Sequence, residues 1–160
     1  MDRFLALRQI PLFASLDDVA LKNLSKISSY KVYKKNEVIF HLGDEGSTLF
    51  ILNSGSVKIF LNDDKGKEMI LKILYKGDFF GEMSLLDGQF RSANVMSVEP
   101  SKALIIQRED FLRLIESNPE IALNTMISLS RRLRKIDEKV ASLAFLDSYG
   151  KVARFLLDFM

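Results

Sequence analysis

The chain has 160 residues, of which 48% are hydrophobic and 28% charged, and its formal net charge is +2. This composition is typical of a soluble protein with one good core, and so small a charge does not by itself indicate a nucleic-acid partner. Cysteine is absent, which excludes disulfides, zinc–thiolate sites and iron–sulfur ligation. Charged Asp2 and Arg3 followed by only short apolar runs predict neither a signal peptide nor a membrane span, so we expect a cytoplasmic protein.

The first predicted element is an amphipathic helix that ends at about Ile27. It follows a capping-box pattern at residues 15–18, with Asp18 in the place of the usual Glu. From Tyr30 to Gln107 the pattern changes to short apolar runs separated by Gly, Asn and Asp turns.

Five of these runs predict strands. They are residues 38–40, 49–52, 57–60, 69–71 and 103–106. A hairpin loop is predicted at residues 62–66. Short strands at even spacing predict a mainly β fold with flanking helices, built around an antiparallel β-roll of the jelly-roll type.

A helical period returns after the strands. Residues 108–116 predict a short helix, and Asn118 followed by Pro119 predicts the start of a long one that ends near Phe145. Apolar residues along it alternate four- and three-residue steps: Ala122, Met126, Leu129, Leu133, Ile136, Val140 and Leu143. This heptad stripe fits either a helix packed on its own β-roll or a parallel dimer seam, and we favour the dimer.

A further short helix is predicted after the long one. Asp147 or Ser148 would cap it, and its apolar face would contain Val152, Phe155, Leu156 and Phe159.

Residues 80–93 combine groups suited to holding a phosphate with a sugar attached. Gly81 lets the backbone approach a ligand closely, and residues 82–86 can form one helical turn whose free N–H groups favour an anion. Arg91 supplies a charged planar fork for two phosphate oxygens, and Ser92 adds a hydroxyl. Glu82 would be repelled by the phosphate unless a ribose hydroxyl lies between them, although the helix dipole alone also favours an acid there. The pattern predicts a ribose-phosphate receptor.

This stretch resembles the phosphate-binding cassette of cyclic-nucleotide-binding domains, and in particular that of bacterial CRP/FNR transcription regulators. The resemblance extends over nearly the whole chain. It also covers Gly43-Asp44, residues 66–71, Gly77-Asp78-Phe79, Arg131-Arg132-Leu133, residues 138–140 and residues 143–147. It covers Gly55-Ser56-Val57 as well and implies a hairpin there. It implies that residues 1–118 form the nucleotide-binding β-roll with its N-terminal helices and that residues 119–146 form a dimerisation helix. Residues 147–160 would form a hinge and the first helix of an absent winged helix-turn-helix domain, through which alone DNA would be bound.

The resemblance also implies a set of ligand-binding residues, with cAMP as the expected effector and no metal. The set is Gly81, Glu82, Met83, Ser84, Arg91, Ser92, Ala93, Leu71, Leu74, Arg132, Ile136 and Asp137. Leu71 and Leu74 match apolar wall positions of the family's pocket, but each is equally plausible as a core residue. Arg132 would lie near the ligand.

The chain departs from the resembling regulators on the long helix. Regulators of the cAMP-binding type carry adjacent Thr and Ser that reach the purine, where this chain has Ile136 and Asp137. Ile136 has no polar group, and Asp137 can accept a hydrogen bond from a purine amine but cannot donate one unless it is protonated. Phosphate and ribose recognition is therefore expected to be retained, and base recognition to be altered.

Several functions compete at this point. The leading one is the effector-binding and dimerisation module of a transcription regulator that binds cAMP. Alternatives are the same fold with cGMP, a cyclic dinucleotide or no nucleotide, and a regulatory domain of a kinase or channel. An enzyme acting on cyclic nucleotides is disfavoured, since metal-dependent hydrolysis needs a cluster of ligands and His41 is the one histidine.

Overall fold

Eight strands and five α-helices account for most of residues 2–158, the part of the chain that this computed structural model describes. The strands are β1 (Ser29–Tyr33), β2 (Val38–Phe40), β3 (Thr48–Ser54), β4 (Val57–Asn62), β5 (Glu68–Leu74), β6 (Phe79–Phe80), β7 (Asn94–Ser97) and β8 (Ser101–Gln107). The helices are α1 (Arg3–Arg8), a 3₁₀ helix (Pro11–Phe13), α2 (Asp18–Ile27), α3 (Glu82–Asp87), α4 (Arg108–Ser117) and α5 (Pro119–Asp158). The chain divides into two compact units, the first ending at Ile121 and the second beginning at Ala122.

Two antiparallel sheets form the body of the first unit. Their strand orders are β1-β8-β3-β6 and β2-β7-β4-β5. The predicted fold class, a β-roll followed by a long helix, is confirmed. The hairpin predicted at residues 62–66 is also confirmed, since β4 pairs with β5 across it. The hairpin predicted at residues 55–57 is wrong, because β3 and β4 belong to different sheets and this turn crosses between them.

The central strand β3 is buried on both faces, which divides the core in two. Leu49 and Ile51 pack towards the helices, in a cluster that includes Leu7 of α1, Leu24 of α2 and Phe111 of α4. The alternate residues Phe50 and Leu52 pack between the sheets. Side chains alternate across a strand, so one continuous apolar run can serve both clusters. Strand β3 is thereby held from both sides next to the cassette.

Helix α2 has its predicted end but a different cap. It begins at Asp18, and Asp17 is its N-cap, with a side-chain carboxylate that accepts a hydrogen bond from Ala20 N at 2.8 Å. The prediction that the capping box starts at Ser15 is therefore wrong. Asp17 is the N-cap because its carboxylate accepts a hydrogen bond from the backbone N–H of Ala20, three residues further along the chain.

The long helix does not stop near Phe145 but continues to Asp158, over 40 residues. Ser148 donates its hydroxyl to Ala144 O at 3.0 Å, and Lys151 pairs with Asp147 at 3.0 Å, so both predicted caps make contacts inside the helix. A single Gly150 costs only about 1 kcal/mol relative to alanine, which does not end a helix. The further helix predicted after Asp147 is thus part of α5, and Phe159 lies outside the described residues. The assignment of residues 147–160 to a further domain stays a prediction.

Five of the seven residues in the heptad stripe of α5 are exposed in the single chain, and Ala122 and Leu129 are half-buried. Met126, Leu133, Ile136, Val140 and Leu143 each expose between 56% and 67% of their surface. Large apolar side chains in a row on one helix mark an interaction face more often than a solvated one. The stripe is therefore available for the predicted dimer seam, which itself stays a prediction.

Tyr33 places a hydroxyl in the core between the sheets. The residue is 1% exposed, and its Oη has no hydrogen-bond partner among the described residues. Burial, with a contribution from Glu37, raises the pKa of Tyr33 to about 12. An unpartnered buried hydroxyl lowers the stability of the folded state.

We expect Tyr33→Phe to raise the free energy of unfolding by about 1 kcal/mol, because it removes that unpartnered hydroxyl. Folding raises the pKa of the Tyr33 hydroxyl, which is neutral when protonated. In the unmodified chain, the contribution of this group to the free energy of unfolding is therefore fully present below pH 10 and is lost as the pH rises towards 12. Urea unfolding at pH 8 and pH 11 measures both effects. A less stable Tyr33→Phe protein, with unaltered alkaline sensitivity, would contradict this interpretation.

Candidate functional site

The predicted cassette is built on a tight turn between β6 and α3. Gly81 has a φ of 82° and is the N-cap of α3, while Gly88 has a φ of 72° and ends the helix by donating its N–H to Ser84 O at 3.0 Å. A Cβ at position 81 would lie 2.8 Å from Thr48 O, so both the left-handed backbone and the close approach favour glycine. The predicted helical turn at residues 82–86 is confirmed.

The Arg91 side chain is buried against this turn. It is 5% exposed, donates from Nη1 to Gly81 O at 2.9 Å and donates from Nη2 to Thr48 O at 3.1 Å. Its guanidinium also lies over the Phe40 ring at 4.2 Å and the Phe50 ring at 5.7 Å. Arg91 is therefore not an exposed loop residue, because its side chain folds inward onto these carbonyls and rings.

The surroundings of Arg91 leave one of its hydrogen-bond donors, Nε, unpaired among the described residues. Among the described residues no carboxylate lies within 4.0 Å of it, the limit for an ion pair. Its Nε is buried and has no hydrogen-bond partner in that part of the chain. Burial lowers the pKa of Arg91, and the more distant charges of Glu82 and Asp44 raise it. A buried donor of this kind suits an acceptor such as a phosphate oxygen.

The loop before β3 holds Arg91 in place. Gly43 N donates to Arg91 O at 2.9 Å, and Arg91 N donates to Asp44 O at 2.8 Å. A Cβ on Gly46 would lie 2.2 Å from Arg91 Nε and 2.4 Å from its Cζ, so Gly46 leaves the room that the guanidinium fills. The loop and the cassette therefore form one built feature.

The other predicted cassette residues surround this arginine in differing degrees of exposure. Glu82 and Ser84 are buried, as is Ala93. Ser92 is exposed and directs its hydroxyl to Met83 Sδ at 3.6 Å, at the outer edge of the turn. The structure thus brings together all seven predicted residues of the cassette, and their role in binding a ligand stays a prediction.

The two predicted wall residues on β5 differ from each other. Leu74 is 0% exposed and packs in the core between the sheets. Leu71 is 38% exposed and sits where the pairing of β5 with β4 shifts, between the pairs Ile59–Lys72 and Phe60–Ile70. A bulge of this kind re-aims a side chain. Leu71 is therefore the better placed of the two for contact with a ligand.

The remaining predicted residues, Arg132, Ile136 and Asp137, lie on α5 in the second unit. Arg132 and Ile136 are four residues apart and share a helix face. Ile136 is 56% exposed and Asp137 is exposed as well. Their role towards a ligand stays a prediction.

Sequence reasoning missed four contributors to the site. They are the rings of Phe40 and Phe50, the carbonyl of Thr48, and Gly46, whose missing Cβ leaves room for Arg91. Strand pattern alone assigns these phenylalanines to the core, and a backbone carbonyl has no sequence signal. The glycine spacing at residues 43–46 was the one signal available.

Comparisons with known proteins identify the family of this chain. Residues 30–118 match the family described as cyclic nucleotide-binding domain. The chain is 40% identical over 127 residues to a cAMP-activated global transcriptional regulator CRP from Pasteurella multocida, covering 79% of this chain and 61% of the relative. It is 38% identical over 154 residues to a cyclic AMP receptor protein from Thermus thermophilus, covering 94% of this chain and 69% of the relative.

A solved structure shares the architecture. The crystal structure of the Thermus thermophilus catabolite activator protein matches with a TM-score of 0.75 and 38% identity, covering 84% of this chain and 63% of that one. The chain spans about three fifths of the length of the Pasteurella regulator. No helix in residues 2–158 is long and apolar enough to cross a membrane. With its cassette, its β-roll and these relatives, the chain belongs to the cyclic nucleotide-binding domain family and, within it, to the CRP-type regulators.

Proposed function

We propose that this chain is the effector-binding and dimerisation module of a CRP-type transcription regulator and that its effector is cAMP. The observation that carries the proposal is the buried Arg91, with a free Nε donor and no carboxylate partner among the described residues, at the base of a cassette. The names of the matched regulators, which specify cAMP, support the choice of effector. They also support a regulator over an enzyme.

In this proposal the phosphate adds an acceptor to those already around Arg91. The guanidinium donates from Nη1 and Nη2 to two backbone carbonyls, which leave its Nε unpaired and its charge uncompensated. An anion offers the charge as well, and charge-assisted hydrogen bonds are about twice as strong as neutral ones. Ser92 would add its hydroxyl, and Glu82 would accept from the ribose hydroxyl.

Signal transmission is assigned to α5. The exposed heptad stripe would form a parallel seam with a second copy, and differential contacts of the nucleotide in the two arrangements of that seam would shift their populations. DNA binding would belong to the part of such regulators that this chain does not span.

A calorimetric panel tests the proposal. The unmodified chain should bind cAMP saturably at one site per chain, and adenosine, which lacks the phosphate, should bind more weakly by at least about tenfold, the equivalent of one charged hydrogen bond. cGMP and a cyclic dinucleotide in the same panel distinguish the alternative effectors. Equal affinity for adenosine and cAMP would overturn the phosphate assignment.

The base readout gives a separate prediction. This chain has Ile136 and Asp137 in the place of a Thr-Ser pair. A site without that pair has fewer polar groups that the wrong base would leave unpaired. We therefore expect the preference for cAMP over cGMP to be smaller than in relatives that keep the pair. Ile136→Thr combined with Asp137→Ser should sharpen the preference by about tenfold, the equivalent of one hydrogen bond. Equilibrium binding of both nucleotides to both proteins measures it. A strong preference that the double change leaves unaltered would mean that the base is read elsewhere.

A further inference from the structure

Three phenylalanines from both sheets meet beneath Arg91. Phe50 and Phe80 are paired across β3 and β6, and their rings are stacked with centroids 5.0 Å apart and an angle of 4° between the planes. Phe40 lies across from them on β2 of the second sheet, at 5.7 Å from Phe50 and 6.1 Å from Phe80. We call Phe40, Phe50 and Phe80 the phenylalanine platform.

The Arg91 guanidinium lies over the ring faces of two members of the platform, Phe40 and Phe50. The Arg91 Cζ lies 4.2 Å from the centroid of Phe40 and 5.7 Å from that of Phe50. Both distances fall within the range of about 6 Å over which the negative ring face attracts a cation. The attraction strengthens where water is excluded, and Arg91 is 5% exposed. The negative faces of the rings therefore partly balance the positive charge of Arg91, for which the described residues offer no ion pair.

The strands are shaped to keep this arrangement. The pairing of β2 with β7 shifts between Val38 and Phe40, which indicates a bulge immediately before the ring. Phe80 immediately precedes Gly81, whose carbonyl accepts from the same guanidinium. Gly46 also lies against the guanidinium, since a Cβ there would be 2.2 Å from Arg91 Nε. The guanidinium is thus confined by rings, carbonyls and backbone together.

We propose that the phenylalanine platform, with Phe40 as its principal member, positions the Arg91 guanidinium so that its remaining donor is held ready for an anion. Phe40 is a positioning residue, since it acts through Arg91 and not by touching the phosphate. Such preorganisation raises affinity because less freedom is lost when the ligand binds. The proposal rests on the proposed function for the identity of the anion, but the placement of Arg91 by the rings holds without it.

The test compares two substitutions at Phe40 with a matched control. Phe40→Leu keeps an apolar side chain and removes the ring face, whereas Phe40→Tyr keeps the face. Phe60→Leu is the control, because Phe60 also lies under a cation, Lys58 at 5.1 Å, but on β4 outside the cassette. Calorimetry with cAMP and with adenosine is combined with NMR of the Arg91 Nε–H in the nucleotide-free proteins.

We expect Phe40→Leu to weaken cAMP binding by about 5- to 30-fold, the effect of a desolvated cation–π contact, with adenosine affinity unchanged. Phe40→Tyr should restore the affinity to within about twofold of the original, since a tyrosine ring also presents its face. The Arg91 Nε–H resonance, shifted by the ring in the unmodified chain, should move in Phe40→Leu and stay in Phe40→Tyr and Phe60→Leu.

Two results would overturn the proposal. One is equal loss of cAMP affinity in Phe40→Leu and Phe60→Leu, which would mark a general packing effect. The other is an Arg91 Nε–H resonance that Phe40→Leu leaves in place. If the unmodified chain binds no cAMP, the proposed function fails, and the NMR comparison alone decides whether the platform positions Arg91.

Discussion

Replacing Arg91 with Gln is expected to weaken cAMP binding by about 10- to 150-fold, the equivalent of the ~1.5–3 kcal/mol of a hydrogen bond to a charged group. The nucleotide-free protein should remain folded. Loss of the two bonds from Arg91 to backbone carbonyls costs about 1.5–3 kcal/mol for each bond, and removal of a desolvated cation offsets part of that cost. Calorimetry gives the affinity, and thermal unfolding with and without saturating cAMP gives the ligand-linked stability.

A companion variant separates the charge from its placement. Gly46→Ala keeps Arg91 but puts a Cβ at 2.2 Å from its Nε, and the backbone there does not require glycine. The flexible guanidinium should give way, so the affinity should fall while the fold persists. Unchanged affinity in both a folded Arg91→Gln protein and a folded Gly46→Ala protein would exclude Arg91 as the phosphate ligand.

Replacing Leu133 with Asp is expected to convert the chain from a dimer to a monomer at tens of micromolar. Leu133 is 59% exposed in the single chain and lies in the middle of the heptad stripe. A dimer would bury the introduced carboxylate in each copy, which is strongly unfavourable without a partner charge. Sedimentation velocity measures the change.

Ala141→Asp is the matched control for Leu133→Asp. It makes the same change of charge on the same helix, at an exposed position that follows Val140 and falls outside the stripe. We expect Ala141→Asp to remain a dimer. A monomeric unmodified chain, or equal dissociation of both variants, would rule out the stripe as the dimer seam.

The strands and the cassette could be predicted because their signals are local. Apolar runs such as residues 49–52 are bounded by turn residues, and the glycine, helical turn and arginine of residues 81–91 follow one another in the chain. The sheet partners of β3 and β4 could not be predicted, since a turn at Gly55 serves a hairpin and a crossover equally well. Three of the eight strands, β1, β6 and β7, were not among the five predicted, and β6 has only two residues, which are too few to show a period.

The inward fold of Arg91 was beyond sequence reasoning for a different reason. Its partners, Thr48 O and the ring of Phe40, are 43 and 51 positions away along the chain and meet it only when both sheets are formed. The end of α5 was misplaced because Asp147 and Ser148 favour caps in isolation but also make side-chain contacts within a helix. Context within the helix decides between the two.

If a nucleotide phosphate binds at Arg91, NMR of the Arg91 Nε–H during a cAMP titration will detect the phosphate at the donor that binds it. This donor is buried and has no partner among residues 2–158, so a phosphate oxygen that accepts from it should move its resonance. We expect a saturable shift with the dissociation constant that calorimetry gives, and no such shift with adenosine. A resonance that stays in place while calorimetry shows the chain saturated with cAMP would contradict phosphate binding at Arg91.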